Sequence, residues 1–232
     1  REVQASMRWA RELECRRFSP AALAQIQSVE VSAAAIPDKL LQTLKKLPCL
    51  SGLSVRGPQT LDRNLLSSCA ALPGLVSLTL STSGSAIRSG TDNASLLRAL
   101  PVTIIGKRLT ALDIAGILGV QAEEVLPLLA LPKLERFSAT IERDRGFARS
   151  VGAVSSTLRA LVLSINADNA VLPVLIPRAA SSLETLKLRC YLTQPALDSV
   201  CTLAKLTQLD LSMCECSSNL QLTPLGKLTA LR

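Results

Sequence analysis

The chain contains no histidine among its 232 residues. That single absence removes Ser-His-Asp and Cys-His nucleophile systems and the His-Glu-x-x-His metalloprotease pattern. Neither a Gly-x-x-x-x-Gly-Lys-Ser/Thr phosphate loop nor a Gly-x-Gly-x-x-Gly turn occurs. Aromatic residues make up 2% of the sequence, so platforms for stacked bases and bulky hot-spot anchors are scarce. No apolar run reaches the 18 or more residues of a membrane span. Together these absences predict a non-enzymatic chain that holds no cofactor.

Cysteine is present, but not in the patterns that bind metal or staple a secreted domain. The seven are Cys15, Cys49, Cys69, Cys190, Cys201, Cys214 and Cys216. Cys190, Cys201, Cys214 and Cys216 are close enough in sequence to raise the question of zinc. The paired spacing of two to four residues at both ends of such a site is missing. The odd count reads as reduced thiols, which predicts a cytoplasmic setting and no metal site. Charge is +8 overall, yet the basic residues are spread along the chain among acids, which disfavours nucleic acid as the partner.

What the sequence has is leucine at fixed intervals. Anchoring on Val29, Leu53, Leu78, Leu112, Phe137, Leu161, Leu186, Leu209 and Leu231 gives steps of 24, 25, 34, 25, 24, 25, 23 and 22 residues. Three residues before each anchor stand Ile26, Leu50, Leu75, Leu109, Leu134, Leu158, Leu183, Leu206 and Leu228. Two residues after it stand Val31, Val55, Leu80, Ile114, Ala139, Leu163, Leu188 and Leu211. Alternation of this kind places two apolar side chains on one side of a short strand and the residue between them on the other. Returning segments such as Asp38–Leu44 and Ala122–Leu129 carry apolar residues at helical spacing. A unit this small cannot bury its own leucines, so neighbouring units must cover them.

The pattern resembles the leucine-rich repeat, Leu-x-x-Leu-x-Leu-x-x-(Asn/Cys), of the intracellular ribonuclease-inhibitor-like and F-box-associated kind. The resemblance covers about residues 23–232 and implies an α/β solenoid, a right-handed horseshoe with a parallel sheet on its concave face. At the Asn/Cys position stand Ser83, Ile117, Glu142, Asn166, Tyr191 and Cys214, of which Asn166 and Cys214 fit the family. Residues 1–22 fall outside the repeat and predict a helical cap over the first unit or the tail of a preceding domain. The Arg/Cys/Arg-rich stretch Met7–Phe18 resembles the end of an F-box, which implies, as an alternative, the substrate-reading part of a ubiquitin-ligase adaptor.

The 34-residue step marks an insertion at about 82–105, Gly- and Ser-rich at its start, with Asp92 or Asn93 placed to cap a short helix. The charged cluster Glu142–Arg149 reads as a solvated convex face. Glu123 and Glu124, adjacent on a helix, are expected to diverge. The array stops one strand into a unit at Leu231, with no polar cap, which predicts a piece of a longer protein, monomeric once capped.

The family's usual binding surface is the concave sheet, and it implies a protein partner held there. The outward-facing strand residues are mostly small. Arg56, Asp113, Arg136, Lys187, Arg189, Gln208 and Asp210 are the candidate partner contacts.

Overall fold

The computed structural model describes residues 2–5, 20–33, 35–57, 61–62, 64–82, 90–117, 119–142, 153–166, 171–179 and 181–232. Strands and helices alternate through it. In chain order they are β1 (Glu2–Ala5), α1 (Pro20–Leu23), β2 (Ser28–Ser32), α2 (Asp38–Leu44), β3 (Gly52–Gly57), α3 (Leu65–Ala70), β4 (Ser77–Thr82) and α4 (Gly90–Ala99). There follow β5 (Ala111–Gly116), α5 (Ala122–Leu129), β6 (Arg136–Ile141), β7 (Ala160–Ile165), α6 (Leu172–Ala179), β8 (Thr185–Arg189), β9 (Tyr191–Leu192), α7 (Gln194–Val200), β10 (Gln208–Asp210) and β11 (Glu215–Cys216). The main sheet has nine strands, β1 to β8 and then β10, each hydrogen-bonded to its sequence neighbour. All of these pairings are parallel. A short second ladder joins β9 to β11. This is a leucine-rich-repeat solenoid.

Register follows the repeat. Val29, Leu53, Leu78, Leu112, Phe137, Leu161, Leu186 and Leu209 stand opposite one another across successive strands. From Val29 to Leu186 they are at most 2% exposed and form one cluster with helix residues such as Leu44, Leu65, Leu97, Val125 and Leu197. Burying each is worth about 1.5–3 kcal/mol, so the apolar column supplies most of what holds the units together. The helices cover this face and leave the other face of the sheet open. Among the described residues no helix is long and apolar enough to cross a membrane.

A second column, of backbone hydrogen bonds, runs along the edge where the strands begin. Ser51 and Gly52 N–H both donate to Gln27 O, and Thr207 and Gln208 N–H both donate to Glu184 O, with the same pattern in between. It corrects the last unit. Arg232 N–H donates to Thr207 O, which places Arg232 two residues before an anchor, as Thr207 is two before Leu209. Leu231 is therefore the leucine three residues ahead of the anchor, not the anchor itself. Leu228 is buried in the manner of Leu203, Leu131 and Leu72. The run Leu225-x-x-Leu228-x-x-Leu231 repeats at three residues, so spacing alone gave no unique register.

The start of the chain also departs from expectation. Glu2–Ala5 forms a strand in the sheet, Val3 opposite Val29, so a further unit begins inside the segment read as lying outside the repeat. The position three residues ahead of Val3 precedes Arg1, which hid the motif. The helix expected over Met7–Phe18 and most of the charged cluster at 142–149 lie outside the described residues.

The described part of the insertion contains the ten-residue helix α4. Because α4 begins at Gly90, Asn93 does not cap it; its side chain is 2% exposed and its Oδ1 accepts from Leu61 N–H at 3.1 Å. It pins the insertion to the preceding unit. Arg98 Nη2, near the end of α4, meets Glu123 Oε1 at 2.6 Å and Glu124 Oε1 at 3.4 Å. The two carboxylates expected to diverge therefore share one guanidinium. Glu124 also accepts from Gln121 N–H at 2.9 Å and so closes the N-terminal turn of α5. Burial pushes its carboxyl above the usual range, against the opposing pull of the Gln121 amide and Arg98.

Candidate functional site

On the open face, residues at alternate strand positions form three rows across the sheet. The first holds Ser28, Gly52, Ser77, Ala111, Arg136, Ala160, Thr185 and Gln208. The middle row holds Glu30, Ser54, Thr79, Asp113, Ser138, Val162, Lys187 and Asp210, and the third includes Ser32, Arg56, Ser81, Thr140, Ser164 and Arg189. Neighbouring strands stand about 4.8 Å apart, so each row is a line of side chains at that pitch. One irregularity breaks the third row: the register shifts between β4 and β5, so that Ser81 faces Gly116 rather than Ala115. A methyl at Gly116 would meet Ser81 Cβ at 2.4 Å, so that crossing tolerates no side chain.

All seven candidate contacts project from this face, yet they are not equivalent. Arg56 pairs with Glu30 at 3.6 Å, and Lys187 pairs with Asp210 at 3.6 Å. Asp113 Oδ1 accepts from Ala115 N–H at 3.0 Å, and Asp210 Oδ1 accepts from Ser212 N–H at 3.1 Å and from its hydroxyl at 2.7 Å. Asp210 thus closes the turn that ends β10, whereas the Asp113 bond falls inside β5, at its register irregularity. The Ser212 hydroxyl and amide, with smaller help from Lys187, hold the Asp210 carboxyl below its ordinary pKa. Gln208 is exposed, and its Oε1 accepts from the Thr185 hydroxyl at 3.4 Å. Arg136 and Arg189 are exposed and their guanidinium groups make no ion pair or hydrogen bond among the described residues.

These two arginines flank hollows. A cavity of about 320 Å³ opens in the middle of the face, over Ala111, Ala160 and Val162, between Asp113 and Arg136. A second, of about 420 Å³, lies where the strands end, between Asn166, Arg189, Tyr191, Met213 and Glu215. Tyr191 is 50% and Met213 63% exposed, so this second hollow has an apolar rim beside the Arg189 guanidinium. Sequence reading placed Tyr191 at the Asn/Cys position of its unit. The β9–β11 ladder pairs Tyr191 with Glu215, and so brings Cys190, one residue earlier, against Cys214. Their Sγ atoms are 3.8 Å apart, and the Cys214 thiol also reaches Leu188 O at 3.3 Å. Tyr191 is thereby turned outward to the hollow. The spacing from Leu186 to this position is one residue shorter than from Leu209 to Cys214, and no local signal announces that.

The buried thiols are inert as nucleophiles. Burial pushes Cys69 up to about 12. Burial, reinforced by the neighbouring Cys214 thiol, does the same for Cys190, to about 12. A thiol at that value is protonated at neutral pH and is a poor attacking group. Among the described residues no group of three or more His, Cys, Asp or Glu is placed to hold a metal ion.

No protein-family model matches the chain, and no curated protein matches it by sequence. Solved structures resemble it in shape. The TLR13–ssRNA13 complex matches 94% of this chain and 33% of its own, at 18% identity and a TM-score of 0.49. InlP of Listeria monocytogenes matches 92% of this chain and 50% of its own, at 13% identity and a TM-score of 0.36. A dipeptide epimerase of Methylococcus capsulatus, complexed with magnesium, matches 90% of this chain and 54% of its own, at 16% identity and a TM-score of 0.33. The chain thus spans between a third and about half of the solved chains it resembles. Likeness at this level carries no argument about ligand or reaction.

Proposed function

We propose that the chain is a non-enzymatic, intracellular recognition module that receives an extended protein segment across the open face of its sheet. The observation that carries this reading is the pair Arg136 and Arg189, two guanidinium groups unpaired among the described residues, beside separate hollows on a face whose other charges are held by neighbours and whose remaining side chains are mostly small. An extended segment with acidic side chains spaced to reach both satisfies the cations with bidentate hydrogen bonds while its backbone lies close to the small residues. Burial keeps the Cys69 and Cys190 thiols protonated, which fits a chain that does no nucleophilic chemistry. The intracellular setting is supported by the odd cysteine count.

Affinity capture with the wild-type chain and with a Lys187→Glu/Arg189→Glu variant, at two salt concentrations, tests the assignment. Charge reversal here is expected to weaken capture by at least about tenfold, since losing a desolvated charge pair costs 2–5 kcal/mol. An unchanged set of bound proteins would remove the open face from the account.

A further inference from the structure

One edge of the sheet, the one where the strands begin, gathers exposed lysines that lie far apart in sequence. The returns from helix to strand carry Lys45, Lys46, Lys107, Lys133, Lys205 and Lys227, all exposed, although the returns over residues 71–76 and 180–184 have no lysine. Acids at this edge are Glu135 and Glu184, and Glu184 is taken up by Arg159 at 2.7 Å. At the opposite edge, where strands give way to helices, the described acids Asp38, Asp62, Glu123, Glu124, Glu142 and Glu215 are mixed with Lys39, Arg56 and Arg189. These six lysines, scattered in sequence, are therefore drawn towards one edge of the solenoid.

Two aliphatic residues project from the same strip. Val102 is 80% and Ile104 67% exposed, although they bracket the turn between buried Leu100 and buried Ile105. The turn is fixed, not loose. Arg108 donates to Pro73 O at 2.9 Å and to Ala70 O at 3.2 Å on the preceding turn of this edge. Thr103 Oγ1 donates to Leu100 O at 2.6 Å and accepts from Gly106 N–H at 3.2 Å. On the other side, a methyl at Gly106 would lie 3.3 Å from Leu131, just ahead of Lys133. Folding has thus built a rigid prong with an aliphatic tip and set it among lysines.

We infer that this edge docks on the surface of an anionic phospholipid bilayer, with Val102 and Ile104 entering the headgroup–acyl boundary and the lysines meeting anionic headgroups. Protruding aliphatic side chains need a partner that yields around them, and a bilayer surface does so. Clustered lysines add the attraction that a short apolar prong lacks. A nucleic acid backbone would use the lysines but leave the prong in water, and no aromatic residue among the described residues of this edge offers a base a stacking platform.

Vesicle co-sedimentation of the full chain tests this. Wild type is expected to sediment with phosphatidylcholine vesicles containing about 30% phosphatidylserine, to stay in solution with pure phosphatidylcholine, and to be released by salt. Val102→Asp/Ile104→Asp is expected to lose about tenfold in bound fraction with an unchanged melting temperature, since both residues are exposed. Lys133→Glu/Lys205→Glu is expected to lose a similar amount. Absence of wild-type sedimentation, equal binding to both vesicle types, or full binding by Val102→Asp/Ile104→Asp would overturn the inference. So would capture of wild type by polyglutamate or duplex DNA but not by the anionic vesicles. Because Val102 and Ile104 are not on the strands that form the open face, their substitution tests this edge independently of recognition by Arg136 and Arg189.

Discussion

Leu186→Asp destabilises the chain by about 5 kcal/mol in urea denaturation, whereas Thr185→Asp, one residue away, shifts stability by less than about 0.5 kcal/mol. The difference follows from the pleat. Leu186 is fully buried between Leu161 and Leu209 in the apolar column, so an aspartate there has no counter-charge and leaves a cavity. Thr185 stands on the open face between Ala160 and Gln208, where a carboxylate stays in water. In a solenoid each unit is covered by its neighbours, so the damage spreads to the flanking units first. Amide exchange in Leu186→Asp should accelerate around Leu161 and Leu209 before it does around Val29. Equal effects of the two substitutions would mean that the strand faces are assigned the wrong way round.

Gly106→Ala is expected to cost about 2–3 kcal/mol, and Gly226→Ala close to nothing, by thermal or chemical denaturation. A Cβ at Gly106 would lie 2.2 Å from the Leu100 carbonyl oxygen and 3.1 Å from its carbon, which are backbone atoms no rotamer change can move aside. The turn that carries Val102 and Ile104 would have to open. At Gly226 nothing lies within 4 Å of the same methyl. The pair therefore separates close packing from the general effect of replacing glycine, which by itself favours alanine slightly.

Most of the scaffold was legible because one physical rule writes it. A strand buried on one side alternates, and Leu53-x-Val55, Leu78-x-Leu80 and Leu186-x-Leu188 alternate. The helical segments Asp38–Leu44 and Ala122–Leu129 were legible in the same way, and both form helices with those bounds. Failures came where local spacing admits two registers. Leu225, Leu228 and Leu231 satisfy the motif three residues out of phase, and only the Arg232 to Thr207 hydrogen bond selects one. Cys190 and Tyr191 compete for one position, and the β9–β11 ladder decides it. Asn93 had a helix-cap signature but is used by a backbone amide 32 residues away.

The open face was legible as a face and not as a site. Alternation names Arg56, Arg136, Lys187 and Arg189 alike. Which of them has a partner depends on the neighbouring strand: Glu30 lies diagonally from Arg56 and Asp210 directly across from Lys187, while Arg136 and Arg189 look onto small residues. The basic strip was not legible, because its lysines recur at several offsets from their anchors, with only Lys133 and Lys205 both four residues ahead, and they come to one edge only once the turns stack.

Site-specific photo-crosslinking tests most directly whether the open face is where a partner is held. A photoreactive residue replaces Ser138, in the middle row, or Ala130, an exposed position at the end of α5 on the helix side. The account predicts covalent adducts with the captured protein from Ser138 and none from Ala130. Adducts from Ala130 alone would place recognition on the helices and contradict it.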